Sequence, residues 1–296
     1  MMDAEPTGKP VLVGLSNPDA AQQLVRTAGD LARLGAGGVR LVTVAVKPHD
    51  SPFGVFDDET IVREFAGESH DLLNRVTTPP GVAVERDVLT ARSAAGGLLE
   101  AVDAADPAAL VVGWEGRVRR SDAVFGSTVD TLVERAPCDL YVERVGREAD
   151  GVDSVLLPVA GGPHVGAAAR IARAIALGND ARVVVFSVAT ADEGGVDEAE
   201  AFVTEGAAAL SGATDDELRV ETATGRADDV TDAIVAEAAD HDVVVLGTTR
   251  QGAIRRTLVG SVPRRVVERT EGTVIIARDG DAVGGPLHRL GGLLRR

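Results

Sequence analysis

Short apolar runs alternate along this chain with longer segments in which apolar residues recur every three or four positions. The runs are rich in Val, Ile and Leu, as in "DVVVLG" ending at Gly247. Continuous apolar strands are typical of a parallel sheet buried on both faces, and the longer period is that of an amphipathic helix. The pattern predicts a doubly wound α/β fold, in which helices cover both faces of a parallel sheet.

The whole pattern occurs twice, once in each half of the chain. "VLVG" at Val11 recurs as "VLLP" at Val155, and "LVTV" ending at Val44 recurs as "VFSV" ending at Val188. We therefore predict two tandem Rossmann-like domains, each with a five-stranded parallel sheet. The first half has predicted strands at 11–15, 39–46, 82–89, 109–113 and 138–143, and helices at 18–34, 59–77, 93–105 and 127–136. The second half has predicted strands at 154–159, 182–188, 218–223, 242–247 and 273–278, and helices at 164–177, 193–211, 228–240 and 261–270.

A polar link with glycines, "GREADGVD" from Gly146 to Asp153, marks the boundary between the halves. It predicts a first domain at 1–147 and a second at 152–279. Residues 280–296 are glycine-rich and then basic, and their glycines interrupt any helix, so we predict a flexible basic tail. The alternative is a docking segment, because its leucines could form an apolar face for a membrane surface or a partner.

The charge balance narrows the classes of partner. The chain carries 46 Asp and Glu against 30 Lys and Arg, a net charge of -16, which disfavours nucleic acid as a partner. Lys occurs only at Lys9 and Lys47, and aromatic residues make up 3% of the chain. Abundant acid with little Lys indicates adaptation to high salt, where a Debye length of about 3 Å at 1 M screens self-repulsion. The alternative is an acidic protein encoded by GC-rich DNA.

Salt is therefore expected to stabilise the folded chain. We expect the Tm to rise as KCl is increased from dilute buffer to molar concentration, because screening weakens the repulsion among surface carboxylates. Melts followed by circular dichroism along a KCl series measure this directly. A Tm that does not change with KCl would contradict the halophilic interpretation.

The sequence gives no support for secretion, membrane insertion or catalysis. The start "MMDAEPTGKP" has no basic and apolar leader pattern, and no apolar run approaches the ~18 residues that span a bilayer, so we expect a cytoplasmic protein. Cys138 is alone, which excludes a disulfide within the chain. No nucleophile, base and orienting group come together, so we expect no enzyme activity and assign no catalytic residue. The histidines lack metal-ligand spacing and are interpreted as surface or packing residues: His49, His70, His164, His241 and His288.

Two glycine loops lie at matching places in the halves. The first glycine loop, "GWEGRVRRSDAVFGS", runs from Gly113 to Ser127, and the second glycine loop, "GTTRQGAIRRTLVGS", from Gly247 to Ser261. Each follows a predicted strand and leads into a helix, whose first N–H groups lack intrahelical partners and can bind an anion. The glycines allow backbone to approach a ligand closely, and the serine hydroxyl can cap the helix or donate to a phosphate oxygen.

The first glycine loop resembles the ATP-binding loop of the universal stress protein family. It has that family's pattern of Gly, two residues, Gly, nine residues, Gly and Ser or Thr, which here is Gly113, Gly116, Gly126 and Ser127. The strand before it, the helix after it and a last strand introduced by "APCDLYV" are also similar to that family. The second glycine loop differs because Arg250 replaces the second glycine.

The resemblance covers about 11–145 and 153–278 and implies a tandem protein with strand order 3-2-1-4-5 in each domain. In the family's nucleotide-binding branch, ATP is held at the loop, an Asp at the end of the first strand recognises adenine, and backbone at the end of the second strand touches it. The matching residues are Ser16 and Val44 in the first half and Ala160 and Val188 in the second, so neither half keeps the Asp. For the first half, the resemblance implies ATP with Mg²⁺ held by Leu15, Ser16, Val44, Gly113, Gly116, Gly126, Ser127 and Thr128. The corresponding loop residues of the second half are Gly247, Arg250, Gly260 and Ser261.

Three side chains in the loops admit opposed interpretations. Arg250 could grip phosphate, or could fill the pocket and leave the second domain structural; we favour a second site that is altered or empty. Glu115 would repel a phosphate unless it points outward or shares a bound Mg²⁺. Trp114 either stacks on a base or packs beneath the loop.

Two functions are consistent with these features. The first is a regulatory protein of universal stress type that binds ATP or a related nucleotide in its first domain. The alternative is an interaction module without nucleotide that regulates a partner such as a membrane amino-acid or cation transporter, because "LLPVAGGPH" and the second loop resemble stress-protein domains of permeases.

The last predicted strands, 138–143 and 273–278, would be open sheet edges, and family members pair these edges across a dimer. The resemblance thus implies an intrachain pseudo-dimer and leaves a homodimer open.

Overall fold

A computed structural model describes residues 6–46, 67–114, 126–146, 151–191, 195–211, 218–248 and 260–281. The described residues form two compact units, the first ending at Glu143 and the second beginning at Arg144. No helix in these ranges is both long and apolar enough to cross a bilayer.

The first unit is a parallel sheet with helices between its strands. Its strand order is β3-β2-β1-β4-β5, the order that the resemblance to the universal stress protein family implies. The strands are β1 (Val11–Gly14), β2 (Val39–Val46), β3 (Val84–Ala91), β4 (Ala109–Gly113) and β5 (Asp139–Arg144). The helices within the described residues are α1 (Pro18–Leu34), α2 (Gly67–Arg75), α3 (Ala94–Ala105) and α4 (Ser127–Arg135).

The second unit repeats this architecture, with strand order β8-β7-β6-β9-β10. Its strands are β6 (Ser154–Pro158), β7 (Arg182–Ala189), β8 (Arg219–Arg226), β9 (Val243–Gly247) and β10 (Thr273–Arg278). Its helices within the described residues are α5 (Val165–Asn179), α6 (Gly195–Leu210), α7 (Val230–Ala238) and α8 (Ser261–Arg269). The predicted doubly wound α/β fold, present twice, is confirmed.

Local sequence explains why these elements form. In β1, Val11, Leu12 and Val13 are at most 2% exposed, because helices cover the strand on both faces. Burial of each such side chain contributes about 1.5–3 kcal/mol to folding. Helix α1 begins at Pro18, where a missing N–H is harmless, and the Asn17 side chain accepts a hydrogen bond from the Asp19 N–H at 2.9 Å.

The edge strands extend further than their apolar patterns predict. Strand β8 ends at Arg226 rather than 223, and β3 runs over Val84–Ala91 rather than 82–89. Strand β3 pairs with β2 as far as Ala91, and β8 pairs with β7 as far as Arg226 although its last residues are not apolar, since backbone pairing and not burial sets the end of an exposed edge strand. Part of the predicted helix 59–77 lies outside the described residues, and its described part is α2.

Candidate functional site

Ligands of doubly wound sheets bind beyond the carboxyl ends of the strands, at the point where the winding reverses. In the first unit this point lies between β1 and β4, where Gly14 pairs opposite Val112. In the second it lies between β6 and β9. The two glycine loops begin at these points, directly after β4 and β9.

The predicted base-contacting residues of the first unit lie on two neighbouring strands: Leu15 and Ser16 directly follow β1, and Val44 lies within β2. Leu15 is 4% exposed and donates its backbone N–H to the carbonyl of Val42 at 2.8 Å, whereas Ser16, the next residue, is exposed. Val44 lies in β2, and Gly97 of α3 packs so closely on it that an added Cβ would lie 2.8 Å from Val44 Cγ1. Ser16 is therefore exposed at the end of β1, beside a tightly packed β2.

The start of the first glycine loop is shaped by packing inside the unit. A Cβ at Gly113 would lie 3.1 Å from Leu24 Cδ1 of α1, so the small residue allows α1 to lie close to β4. Trp114 is 8% exposed and donates its backbone N–H to the carbonyl of Glu143 at 2.8 Å. This burial fits the packing interpretation of Trp114. Glu115 and Gly116 lie outside the described residues.

The end of the first glycine loop leaves a helix start open to solvent. Gly126 has φ +102°, a conformation that favours glycine, and no side chain caps α4. Ser127 is exposed and Thr128 is half-buried. The first N–H groups of α4 are thus not capped by a side chain, which is the arrangement that an anion can use.

The second unit contains a cavity of about 430 Å³ beyond the ends of β6, β7 and β9. Five positions that the sequence matches to the ligand site of the family lie in its wall: Ala160, Val188, Gly247, Gly260 and Ser261. Arg250 lies outside the described residues. On its helical sides the cavity is lined by residues of α5, α6, α7 and α8.

Pro158, which lies in the wall of this cavity, ends the pairing of β6 with β9. The N–H of Val159 donates to the carbonyl of Phe186 in β7 at 2.8 Å, so by alternation the backbone of residue 158 faces β9. Proline has no N–H to donate there. The register of β6 on β9 accordingly ends at Leu156 opposite Val244, whereas β1, which has Gly14 at the matching place, stays paired with β4 to its last residue.

Most side chains that line the cavity are apolar or aromatic, while backbone groups and Thr248 and Ser261 add polar surface. Within the described residues that line it there is no Asp, Glu, Lys or Arg. Its side chains include Phe186, Phe202 and Ile234, and the polar residues Ser187 and His164. Sequence reasoning did not find these residues, because an isolated Phe or His in an apolar segment has the same signal whether it lines a cavity or fills a core.

His164 is fixed in its ring orientation by the end of the last strand. It is 4% exposed, and its Nδ1 accepts a hydrogen bond from the backbone N–H of Asp279 at 3.1 Å. A nitrogen that accepts a hydrogen bond carries no proton, so the Nε2 carries it in the neutral ring. The sequence predicted His164 as a surface or packing residue, and the structure shows it buried. Its position in the cavity wall was not predicted.

Two ion pairs connect α7 and α8, which form one side of the cavity. Arg265 lies 2.8 Å from Asp229, and Arg269 lies 2.5 Å from Asp232. The Arg265 side chain, with backbone N–H groups at the start of α7, lowers the pKa of Asp229 to about 2. Asp229 thus stays charged in neutral solution and accepts the Thr231 N–H as the cap of α7.

A buried carboxyl group lies under the start of the first glycine loop. Glu143 of β5 is 0% exposed, pairs in register with Gly113, and has both side-chain oxygens without a hydrogen-bond partner among the described residues. Burial raises the pKa of Glu143 to about 7, and the nearby charge of Asp30 raises it further, while the side chains of Thr27 and Gln23 lie close enough to lower it in part.

Two solved structures have the same fold over most of the chain, and a third is similar to less than half of it. A universal stress protein from Archaeoglobus fulgidus is 16% identical, with a TM-score of 0.61 over 92% of this chain and 97% of that one. The cytoplasmic domain of a prokaryotic cation chloride cotransporter is 13% identical, with a TM-score of 0.56 over 92% of this chain and 96% of that one. A universal stress protein from Archaeoglobus fulgidus solved in complex with dAMP is 20% identical over 45% of this chain and 96% of that one, with a TM-score of 0.32.

No curated protein sequence is significantly similar to this chain. The model of the universal stress protein family, however, matches it twice, at residues 8–144 and 151–278. These two matches cover most of the chain and correspond to the two halves that repeat the same strand order. The chain therefore belongs to the universal stress protein family and contains two of its domains in tandem.

Proposed function

We propose that this protein is a cytoplasmic, non-catalytic regulator whose first domain, residues 1–147, binds ATP or a related nucleotide. The observation that carries the proposal is the open start of α4. Gly126 enters it at φ +102° without a side-chain cap, at the end of a loop with the family's Gly113, Gly116, Gly126 and Ser127 spacing. Phosphate is the ligand that such a helix start binds best.

Each residue has a role in this proposal. Gly113, Gly116 and Gly126 allow the phosphates to approach the backbone, and Ser127 and Thr128 offer hydroxyl and N–H donors. Mg²⁺ would enter with the phosphates and offset the charge of Glu115. The base would lie near Leu15, Ser16 and Val44, where the exposed Ser16 hydroxyl replaces the family's Asp and selects adenine less strictly.

The second domain, residues 152–279, differs in the chemistry of its site. Ala160 replaces the Asp and offers only backbone, and the described residues of its cavity wall supply no charged group to hold a phosphate. The start of α8 lacks a side-chain cap as that of α4 does, so the difference rests on Ala160 and on Arg250, whose side chain stands in place of the loop's second glycine. We propose that this domain does not hold ATP.

Trp114 offers a reporter that reads the first domain alone, because the chain has one Trp. We expect ATP with Mg²⁺, added in molar KCl, to change the Trp114 emission saturably, since the residue lies directly before the phosphate-binding loop. Emission is excited at the red edge of the Trp band, where adenine does not absorb.

The variant Gly116→Val should lose this response, because a branched side chain blocks the approach of the phosphates to the backbone. Ser261→Ala, at the matching helix start of the second domain, is the control and should respond as the unaltered protein does. A saturable response of equal size in Gly116→Val would contradict the proposed site.

A second proposed function is regulation of a membrane transporter without nucleotide. Its support is that the fold of both domains is shared by the cytoplasmic domain of a cation chloride cotransporter. The basic tail, residues 280–296, would contribute to contact with the membrane or the partner. Co-purification from membranes should recover a transporter with the full chain and lose it when the tail is deleted; a full-length chain that recovers none counts against this function.

A further inference from the structure

We propose that the nucleotide site of the first domain, which rests on the function proposed above, is regulated by protonation of Glu143 in a buried polar seam. The polar seam consists of residues from α1 and β5: Gln23, Thr27, Asp30 and Glu143. By their helical spacing, the first three lie on one face of α1. Gln23 is half-buried, whereas Thr27, Asp30 and Glu143 are 1%, 7% and 0% exposed.

The register of the sheet directs the Glu143 side chain toward α1. Glu143 pairs with Gly113 of β4, and paired residues of neighbouring strands point to the same face of a sheet. A Cβ at Gly113 would lie 3.1 Å from Leu24 Cδ1 and 3.8 Å from Ala20 Cβ, so this is the face that α1 covers. Arg144, the next residue of β5, points to the opposite face by alternation. The Glu143 carboxyl thus lies beside the start of the first glycine loop, on its α1 side.

The matching positions of the second domain show that the fold does not need a polar seam. Ala36 and Asp180, which have φ +52° and +54° after the ends of α1 and α5, align the two helices. Ala277 of β10 matches Glu143, because each carbonyl accepts the N–H of the residue directly after the neighbouring strand. The four matching residues are apolar and at most 1% exposed: Ala167, Ile171, Ala174 and Ala277. A polar seam in one domain only indicates a role other than support of the fold.

The surroundings of Glu143 make its charged form unfavourable. Burial raises the pKa of Glu143 to about 7, and the charge of Asp30, which pairs with Arg33, raises it further. On the same face of β5, the Tyr141 hydroxyl donates to Asp139 Oδ2 at 3.3 Å, and β4 carries no charged residue. Glu143 therefore gains or loses its proton in the neutral pH range, next to the loop.

Nucleotide and proton are expected to bind cooperatively. A phosphate anion at the loop opposes the charge of Glu143, and two unit charges about 10 Å apart at an effective dielectric of about 20 change a binding constant by about tenfold. Salt screens a buried charge less than an exposed one. Binding of nucleotide thus raises the pKa of Glu143 further, and by reciprocity nucleotide binds more tightly when Glu143 is protonated. The affinity should fall as the pH rises through about 7.

Equilibrium dialysis of ATP with Mg²⁺ against the full-length protein in molar KCl, from pH 6 to pH 9, measures this dependence. The Kd of the wild type should rise at least about fivefold more over this range than that of Glu143→Gln, which stays uncharged while the phosphates titrate as before. Glu100→Gln removes one negative charge from an exposed position of α3 and is the matched control. It should keep the pH dependence of the wild type.

Asp30→Asn places the effect in the polar seam. Because the charge of Asp30 raises the pKa of Glu143, this variant should move the midpoint of the Kd profile to lower pH. An unchanged midpoint, or the same pH dependence of ATP binding in wild type and Glu143→Gln, would overturn the inference and leave the proposed function standing. Absence of ATP binding at every pH would overturn both.

Discussion

Replacing Glu143 by glutamine is expected to raise the free energy of unfolding at pH 8 by up to about 3 kcal/mol, the energy of a shift from 4.5 to about 7. Above pH 7 the wild-type carboxylate carries its charge in a fully buried place near Asp30, and the side chains of Thr27 and Gln23 offset only part of the desolvation cost. Glutamine has nearly the same shape and no charge, so it removes this cost.

The same substitution should change the pH dependence of stability. A carboxyl group whose pKa is higher in the folded state gives its full stability below its unfolded value of 4.5, and this stability is lost as the pH rises through about 7. The difference between Glu143→Gln and wild type should therefore grow from pH 4.5 to 7 and then stay constant. Urea denaturation at several pH values in molar KCl measures it.

The control for this experiment is Glu134→Gln, which removes one negative charge from an exposed position of α4. It should change the unfolding free energy by no more than about 0.5 kcal/mol, as most surface substitutions do. Equal unfolding free energies of Glu143→Gln and wild type at pH 8 would contradict the account of a charged, desolvated carboxylate.

A pair of glycine-to-alanine substitutions in the second domain should have opposite effects. Gly206 of α6 is buried, and a Cβ there would lie 2.8 Å from Val185 Cγ1 and 3.0 Å from Val159 Cγ1. In a helix, alanine is favoured over glycine by about 1 kcal/mol of intrinsic propensity. Overpacking of a core costs about 1–3 kcal/mol. Because two valines lie close to the added Cβ, we expect a cost near the upper end of that range. We expect Gly206→Ala to be destabilising.

Gly166 of α5 is the matched case, because a Cβ there has no neighbour within 4 Å and the residue is exposed. Gly166→Ala should raise the unfolding free energy by about 0.5–1 kcal/mol, since it gains propensity without a clash. Denaturant unfolding of both variants gives the comparison. A stabilising Gly206→Ala would show that α6 can move away from the sheet without cost.

The fold could be predicted from the sequence because its strongest determinants are local. Runs such as "DVVVLG" are long and apolar enough to identify β9, and their alternation with amphipathic segments fixes a parallel sheet. Strand β8 was predicted less accurately. Most of its residues are exposed, so pairing with β7, which the sequence does not display, determines its end at Arg226.

The spacing of the glycines predicts the position of the candidate site in each domain but not the residues that surround it. Gly113 is an example. Its small size allows Leu24 of α1 to pack close to β4. A single sequence does not show whether a glycine is needed for such packing or for contact with a ligand. Pro158 marks a difference that the strand pattern hides: "VLVG" and "VLLP" match as strands, yet the proline ends the pairing of β6 with β9 while β1 stays paired with β4 through Gly14. The buried Glu143 is invisible to sequence patterning because a single Glu near the end of a strand is usually exposed.

The number of ATP molecules bound per chain tests the central claim most directly, because the account assigns nucleotide to one of two related domains. Equilibrium dialysis of the folded protein with saturating ATP and Mg²⁺ in molar KCl should give one nucleotide per chain, and none for Gly116→Val. No binding above background in a folded sample, or two nucleotides per chain, would contradict it.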